Sequence, residues 1–195
     1  MGSRAGRSVS TRRAPSCLPI AVQAIWEDHR VNRTAGAHVK GRQLNLAFLE
    51  SPEREGILAS PVCQGVRLEP NTGLPEASQL VDLKDRIAAE LRAAKVTRVV
   101  LVQTRKTNSW SYSDAYNRVF AVAALMFAAH ELQLDFSTEK TSVIGKHLDL
   151  KATELDTIEC ERFGFDQNPT YWTTGLAHAY AAAAYAMSIS PCEGA

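Results

Sequence analysis

No apolar run in these 195 residues approaches the roughly 18 that a membrane span requires, so no membrane partner is expected. The four cysteines, Cys17, Cys63, Cys160 and Cys192, are widely spaced and form no CxxC pair. That argues against a structural zinc site and against a disulfide framework. Free thiols fit a reducing compartment, and the expected location is the cytoplasm. Catalytic signatures are also missing. There is no G-x-S-x-G elbow, no cysteine beside a histidine, no Walker loop and no dinucleotide fingerprint. Serine and cysteine hydrolysis therefore have no support. No internal repeat is visible.

Acids are absent from the opening MGSRAGRSVSTRRAPS, which carries four arginines and no large aromatic. Such a composition buries too little apolar surface to offset the entropy of ordering, and disorder is expected. The next stretch, CLPIAVQAIW, is short, contains Pro19 and Gln23, and runs into Glu27-Asp28 without a small-residue cleavage site. It does not read as an export signal. Residues 1–34 are thus taken as a basic extension and residues 35–190 as the folded domain. Charge follows the same division. The first 43 residues hold eight Lys and Arg against Glu27 and Asp28, while the remainder is net negative. Attraction to a polyanion should come from the N-terminal part or from local clusters, because the main domain repels one on average.

What is present has the balance of a soluble globular domain, 45% hydrophobic and 22% charged. The stretch GAHVKGRQLNLAFLE reads as two short strands around a Lys40-Gly41 turn. In the second, Leu44, Leu46 and Phe48 alternate with Asn45 and Ala47, as in a strand with one buried face. EGILASPV supplies a third strand, and VRLEPNTGLPEA reads as loop. Leu80, Leu83, Ile87 and Leu91 then recur at helical spacing, predicting an amphipathic helix. The consecutive apolar residues of VVLV, Val99–Val102, predict a central strand covered on both faces. A helix over 114–132, with Ser113 as N-cap, is apolar nearly all round and should be the most buried helix. QLDFSTEKTS adds a strand, and GLAHAYAAAAYAMS is an Ala-rich helix that permits close approach to a neighbour. The order is three strands, helix, strand, helix, strand, helix. It predicts a mixed α/β sheet with helices on both faces and a right-handed crossover.

This order resembles the ribonuclease H-like fold, with three antiparallel strands followed by parallel ones. More specifically, GAHVKGRQLNLAFLE, PVC at Pro61–Cys63, VVLVQTR at Val99–Arg105 and the closing LAHAYAAAAYAM resemble a RuvC-related bacterial family, domain of unknown function 3010, over about residues 35–188. The wider superfamily implies two-metal phosphodiester cleavage, in which several carboxylates share two divalent ions. It places those carboxylates on strand one, at the end of strand four, and on the final helix. The matching places here offer His38, then Gln103-Thr104, then His178. Mg²⁺ is a hard ion that prefers octahedral oxygen ligands, so imidazole, amide and hydroxyl make poor substitutes.

Each candidate has two readings. His38 on a half-buried strand, and His178 on an Ala-rich face, are either packed histidines or ligands. If the two meet, an imidazole-rich site for Zn²⁺ or Mn²⁺ is the metal alternative, and no cofactor is otherwise assigned. His147 is a third candidate that the sequence cannot place near them. Arg98, Arg105 and Lys106 form either a ligand-binding basic spot at the carboxyl end of the central strand or a solvated loop. Trp110 and Tyr112 could stack on unpaired bases, cover the sheet edge, or meet a second subunit. Three functions follow: a catalytically degenerate ribonuclease H-like domain binding nucleic acid or a partner; a metal-dependent nuclease with a rearranged site of His38, Thr104 and His178; or an assembly protein that self-associates through aromatics.

Overall fold

The computed structural model describes residues 32–51, 56–103 and 110–189. The expectations for residues 1–31 and for the loop residues Thr104, Arg105 and Lys106 lie outside the described residues. Strand β1 (Arg33–Lys40) pairs antiparallel with β2 (Gln43–Glu50), with Lys40 opposite Gln43 across a two-residue turn. Two short strands, β3 (Ser60–Pro61) and β4 (Val66–Leu68), both pair antiparallel with β2. Helix α1 (Glu76–Ala94) leads to β5 (Arg98–Gln103), which lies parallel to β1. Helix α2 (Tyr112–Glu131) leads to β6 (Asp135–Lys140), parallel to β5. Helix α3 (Thr141–His147), two short 3₁₀ turns and helix α4 (Leu176–Ser188) complete the order. The sheet runs β3-β2-β1-β5-β6, with β4 beside β2. No described helix is long and apolar enough to cross a membrane.

Two cores sandwich this sheet. On one face, Ala35, Ala37, Leu44, Leu46, Phe48, Val99 and Leu101 meet Leu83, Ile87 and Leu91 of α1 and Ala121, Ala124 and Leu125 of α2. On the other, Ala47, Leu49, Val100 and Val102 meet α4 together with Phe163 and Trp172. The expected mixed sheet with helices on both faces is therefore present.

Several local expectations are corrected. β1 begins at Arg33, and Thr34 is fully buried with its hydroxyl donating to the Ala183 carbonyl at 2.8 Å, so the domain starts before residue 35. Asn45 and Ala47 are as buried as their neighbours, because α4 covers the face of β2 that was read as solvated. Val66–Leu68, read as loop, forms β4, and the expected third strand shortens to Ser60–Pro61. The cap of α2 is Ser111, not Ser113. Ser111 and Asp114 exchange hydrogen bonds in a capping box.

The largest correction concerns α2. Val119, Met126 and Phe127 are 68, 50 and 57% exposed. This helix seals the sheet with its small and branched stripe of Ala121, Ala124, Leu125 and Ala128, leaving its other apolar side chains outward. The most buried helix is α4, which loses Leu176, Ala177, Tyr180 and six further side chains from solvent. Its approach to β1 is set by Gly36. A Cβ at that position would stand 1.9 Å from the Ala179 carbonyl oxygen, so only glycine lets the two backbones touch.

Candidate functional site at the carboxyl end of the first strand

Side chains alternate along β1, so Thr34, Gly36 and His38 face α4 while Ala35, Ala37 and Val39 face α1 and α2. Because Gly36 seats α4 at Ala179, the neighbouring residue His178 arrives beside His38. The two imidazoles stack with ring centroids 4.6 Å apart and planes inclined by 16°. Residues 140 positions apart, on the first strand and the last helix, thus form one pair.

Nδ1 of His38 and Nδ1 of His178 are both buried without a hydrogen-bond partner. Burial penalises the charged form and pushes His38 down to about 3. The charges of His178, Arg118 and Lys40 push the same way, and the Gly175 backbone opposes them least of all. His178 is also lowered, first by burial and against the pull of Asp156. Both rings are therefore neutral at physiological pH.

Cations surround the pair from both layers. Lys40 lies two residues beyond His38 on the same strand. Arg118, from α2, donates from Nη1 to the Val39 carbonyl at 2.9 Å and places its guanidinium carbon 4.3 Å from the centre of the Trp110 ring. On the far side, Arg67 of β4 donates to Asn45 Oδ1 at 3.2 Å and to Thr174, and lies 3.7 Å over the Tyr171 ring. Asn45, directly opposite His38 in the β1–β2 ladder, donates to the His38 carbonyl. Gly175, the N-cap of α4, closes this corner at φ 129°. A Cβ there would lie 2.9 Å from His38 Nδ1 and 2.7 Å from Asn45 Nδ2.

Of the sequence candidates, His38 and His178 come together, and Trp110 packs on Arg118, whose charge acts on His38. Tyr112 opens α2 and is 87% exposed, stacking on Tyr116 rather than on the cluster. Arg98 is corrected: it opens β5, at the amino end of the strand, opposite to the end from which Arg105 and Lys106 follow. It is buried, pairs with Asp135 at 2.6 Å, and donates to the carbonyls of Ala186 and Ile189 at the end of α4. His147 packs edge-on against Tyr185 instead of joining the pair. Missed by sequence reasoning were Arg118, Arg67 and Asn45. Arg118 carried a signal, as the lone cation between Asp114 and His130 in an otherwise apolar helix.

A two-metal centre does not fit these donors. Among the described residues no three His, Cys, Asp or Glu side chains are grouped for a metal ion. Lys40 and Arg118 act on His38, while Asp156 acts on His178, and the two cations beside His38 disfavour a dication there and favour an anion.

No family model matches the sequence, and no curated protein matches it. Solved structures do. The Thermus thermophilus RuvC structure is 17% identical with a TM-score of 0.61, covering 79% of this chain and 95% of that one. T. thermophilus RuvC in complex with Holliday junction substrate is 15% identical with a TM-score of 0.59, covering 78% and 90%. The fold is ribonuclease H-like. At such identities the likeness is one of architecture, and function has to be read from the side chains of the site.

Proposed function

We propose that this chain is a catalytically degenerate ribonuclease H-like domain, a cytoplasmic relative of the bacterial family domain of unknown function 3010, that binds nucleic acid without cleaving it. One observation carries this reading: the stacked His38–His178 pair occupies the strand-one and final-helix places where the superfamily resemblance implies carboxylates. Two neutral, half-buried imidazoles cannot bridge a pair of hard cations as shared carboxylates do. Support for nucleic acid comes from Lys40 and Arg118 beside that pair, from the half-buried Trp110 ring against Arg118, and from the architectural likeness to a protein solved with Holliday junction substrate.

The test is turnover by the full chain on single-stranded, duplex and four-way-junction DNA and on RNA, with Mg²⁺ or Mn²⁺. No cleavage is expected, and His38→Asp alone should create none. Binding to single strands should weaken with salt and with Arg105→Ala or Trp110→Ala. Metal-dependent turnover abolished by His38→Ala would replace this reading with the rearranged-site nuclease.

A second reading, self-association, is favoured by the outward face of α2. Tyr112, Tyr116, Val119, Met126 and Phe127 are all exposed there. Sedimentation of the full chain and of Phe127→Glu separates it from the first, since dispersal of an oligomer by that substitution supports it and a monomeric wild-type chain excludes it.

A further inference from the structure

Among the described residues, four buried side-chain nitrogen or oxygen atoms lack a hydrogen-bond partner: His38 Nδ1, His178 Nδ1, Arg118 Nε and Ser137 Oγ. Three of the four belong to one cluster. Buried polar atoms are nearly always satisfied, so a group of orphans in one place calls for a missing partner. The identity of the donors says which kind. Arginine has no acceptor, so whatever meets Arg118 Nε must accept a hydrogen bond. Lys40 can likewise only donate. Each neutral imidazole holds one N–H, which can sit on Nδ1. Lys40, Arg118 and these N–H groups, with Asp156 acting on His178 and Asp114 on Arg118 as the opposing acids, suit an oxyanion with several acceptor oxygens.

Resting on the binding role proposed above, we propose that the end of β1 binds a phosphate group directly, through Arg118, Lys40 and the His38–His178 pair, with no metal ion between protein and phosphate. Arg118 is held for this by its bond to the Val39 carbonyl and by the Trp110 ring beneath it, which leave Nε and the second terminal nitrogen for the ligand. Lys40 is exposed at the strand end, and its charge acts on both imidazoles. A bound phosphate also reverses the local charge, so that it favours protonation of imidazoles that the free site keeps neutral.

The experiment follows the imidazole resonances of His38 and His178 by NMR in the full chain, with EDTA present throughout. Inorganic phosphate is titrated first, then a single-stranded oligonucleotide. Expected is a saturable shift of both rings with phosphate, weakened about tenfold in Lys40→Gln and Arg118→Gln and partly restored in Arg118→Lys, as loss of a charge-assisted hydrogen bond requires. Lys151→Gln, which removes a remote exposed charge, should bind as the wild type does. Lys40 is exposed, so its variant remains informative if Arg118→Gln does not fold. Displacement of phosphate by the oligonucleotide assigns the site to nucleic-acid phosphodiesters. Phosphate binding that the oligonucleotide cannot displace assigns it to free phosphate and removes the nucleic-acid role while the site stands. An oligonucleotide that binds without moving either ring overturns the phosphate site and leaves the nucleic-acid role intact. Absence of any ring shift with phosphate, or a shift that needs added Mg²⁺, overturns the proposal.

Discussion

The backbone of Gly36 lies against that of Ala179, so closely that a Cβ on Gly36 would stand 1.9 Å from the Ala179 carbonyl oxygen and 2.4 Å from the Ala183 nitrogen. Both obstacles are backbone atoms and cannot swing aside as a side chain can. Gly36→Ala should therefore push α4 off the sheet, at a cost of about 3 kcal/mol or more. The His38–His178 stack should separate with it. Urea denaturation followed by circular dichroism measures the first effect and imidazole chemical shifts the second. A cost below about 1 kcal/mol would mean that α4 sits further from β1 than described.

Acid should destabilise the domain through His38. An unfolded imidazole takes up its proton near the ordinary value of 6.5, whereas the folded one does so at about 3. Between those values the unfolded state binds more protons, so stability is complete above the upper value and falls as pH drops towards the lower. The loss from this group reaches up to about 5 kcal/mol. His178, also lowered, adds in the same direction. The groups that set the response are His178, Lys40 and Arg118 around His38, with Asp156 acting on His178. Comparing unfolding free energies of wild type and His38→Gln across this range isolates the effect, and the difference between them should shrink steadily with falling pH. A difference independent of pH would show that His38 titrates normally.

Two large side chains on α2 should respond very differently to truncation. Leu125 is fully buried against the sheet, and Leu125→Ala should cost about 2–5 kcal/mol. Phe127 is 57% exposed, and Phe127→Ala should change stability by about 0.5 kcal/mol or less in a monomer. Thermal denaturation at low protein concentration tests both. A large loss at Phe127 under those conditions would place α2 in the interior after all.

Arg98 should matter for folding and not for ligand. Its guanidinium closes the carboxyl end of α4 by donating to Ala186 and Ile189 and reaches across to Asp135 on β6. Arg98→Met removes these bonds and should cost about 2–4 kcal/mol. At a temperature where the variant remains folded, phosphate and oligonucleotide affinities should match the wild type. A selective loss of affinity with unchanged stability would return Arg98 to the binding surface.

Periodicity and punctuation along the chain were enough to determine the α/β class, the antiparallel opening, the covered strand Val99–Val102 and the Ala-rich final helix. Each depends on interactions within a few residues or on a simple alternation of apolar side chains. Even the absence of carboxylates at His38 and His178 was legible, because it needed only a resemblance and a residue type. What decided the rest was contact between distant segments. Asn45 reads as a solvated position until α4 covers its face of the sheet, and Phe127 reads as core until the sheet proves too narrow to cover every side of α2. The stacking of His38 on His178 follows from the close approach that Gly36 permits, and the cationic setting follows from Arg118 reaching over from the opposite layer to the Val39 carbonyl. Side-chain periodicity specifies which face of an element is buried, but which elements press on that face, and at what distance, is settled only by three-dimensional packing.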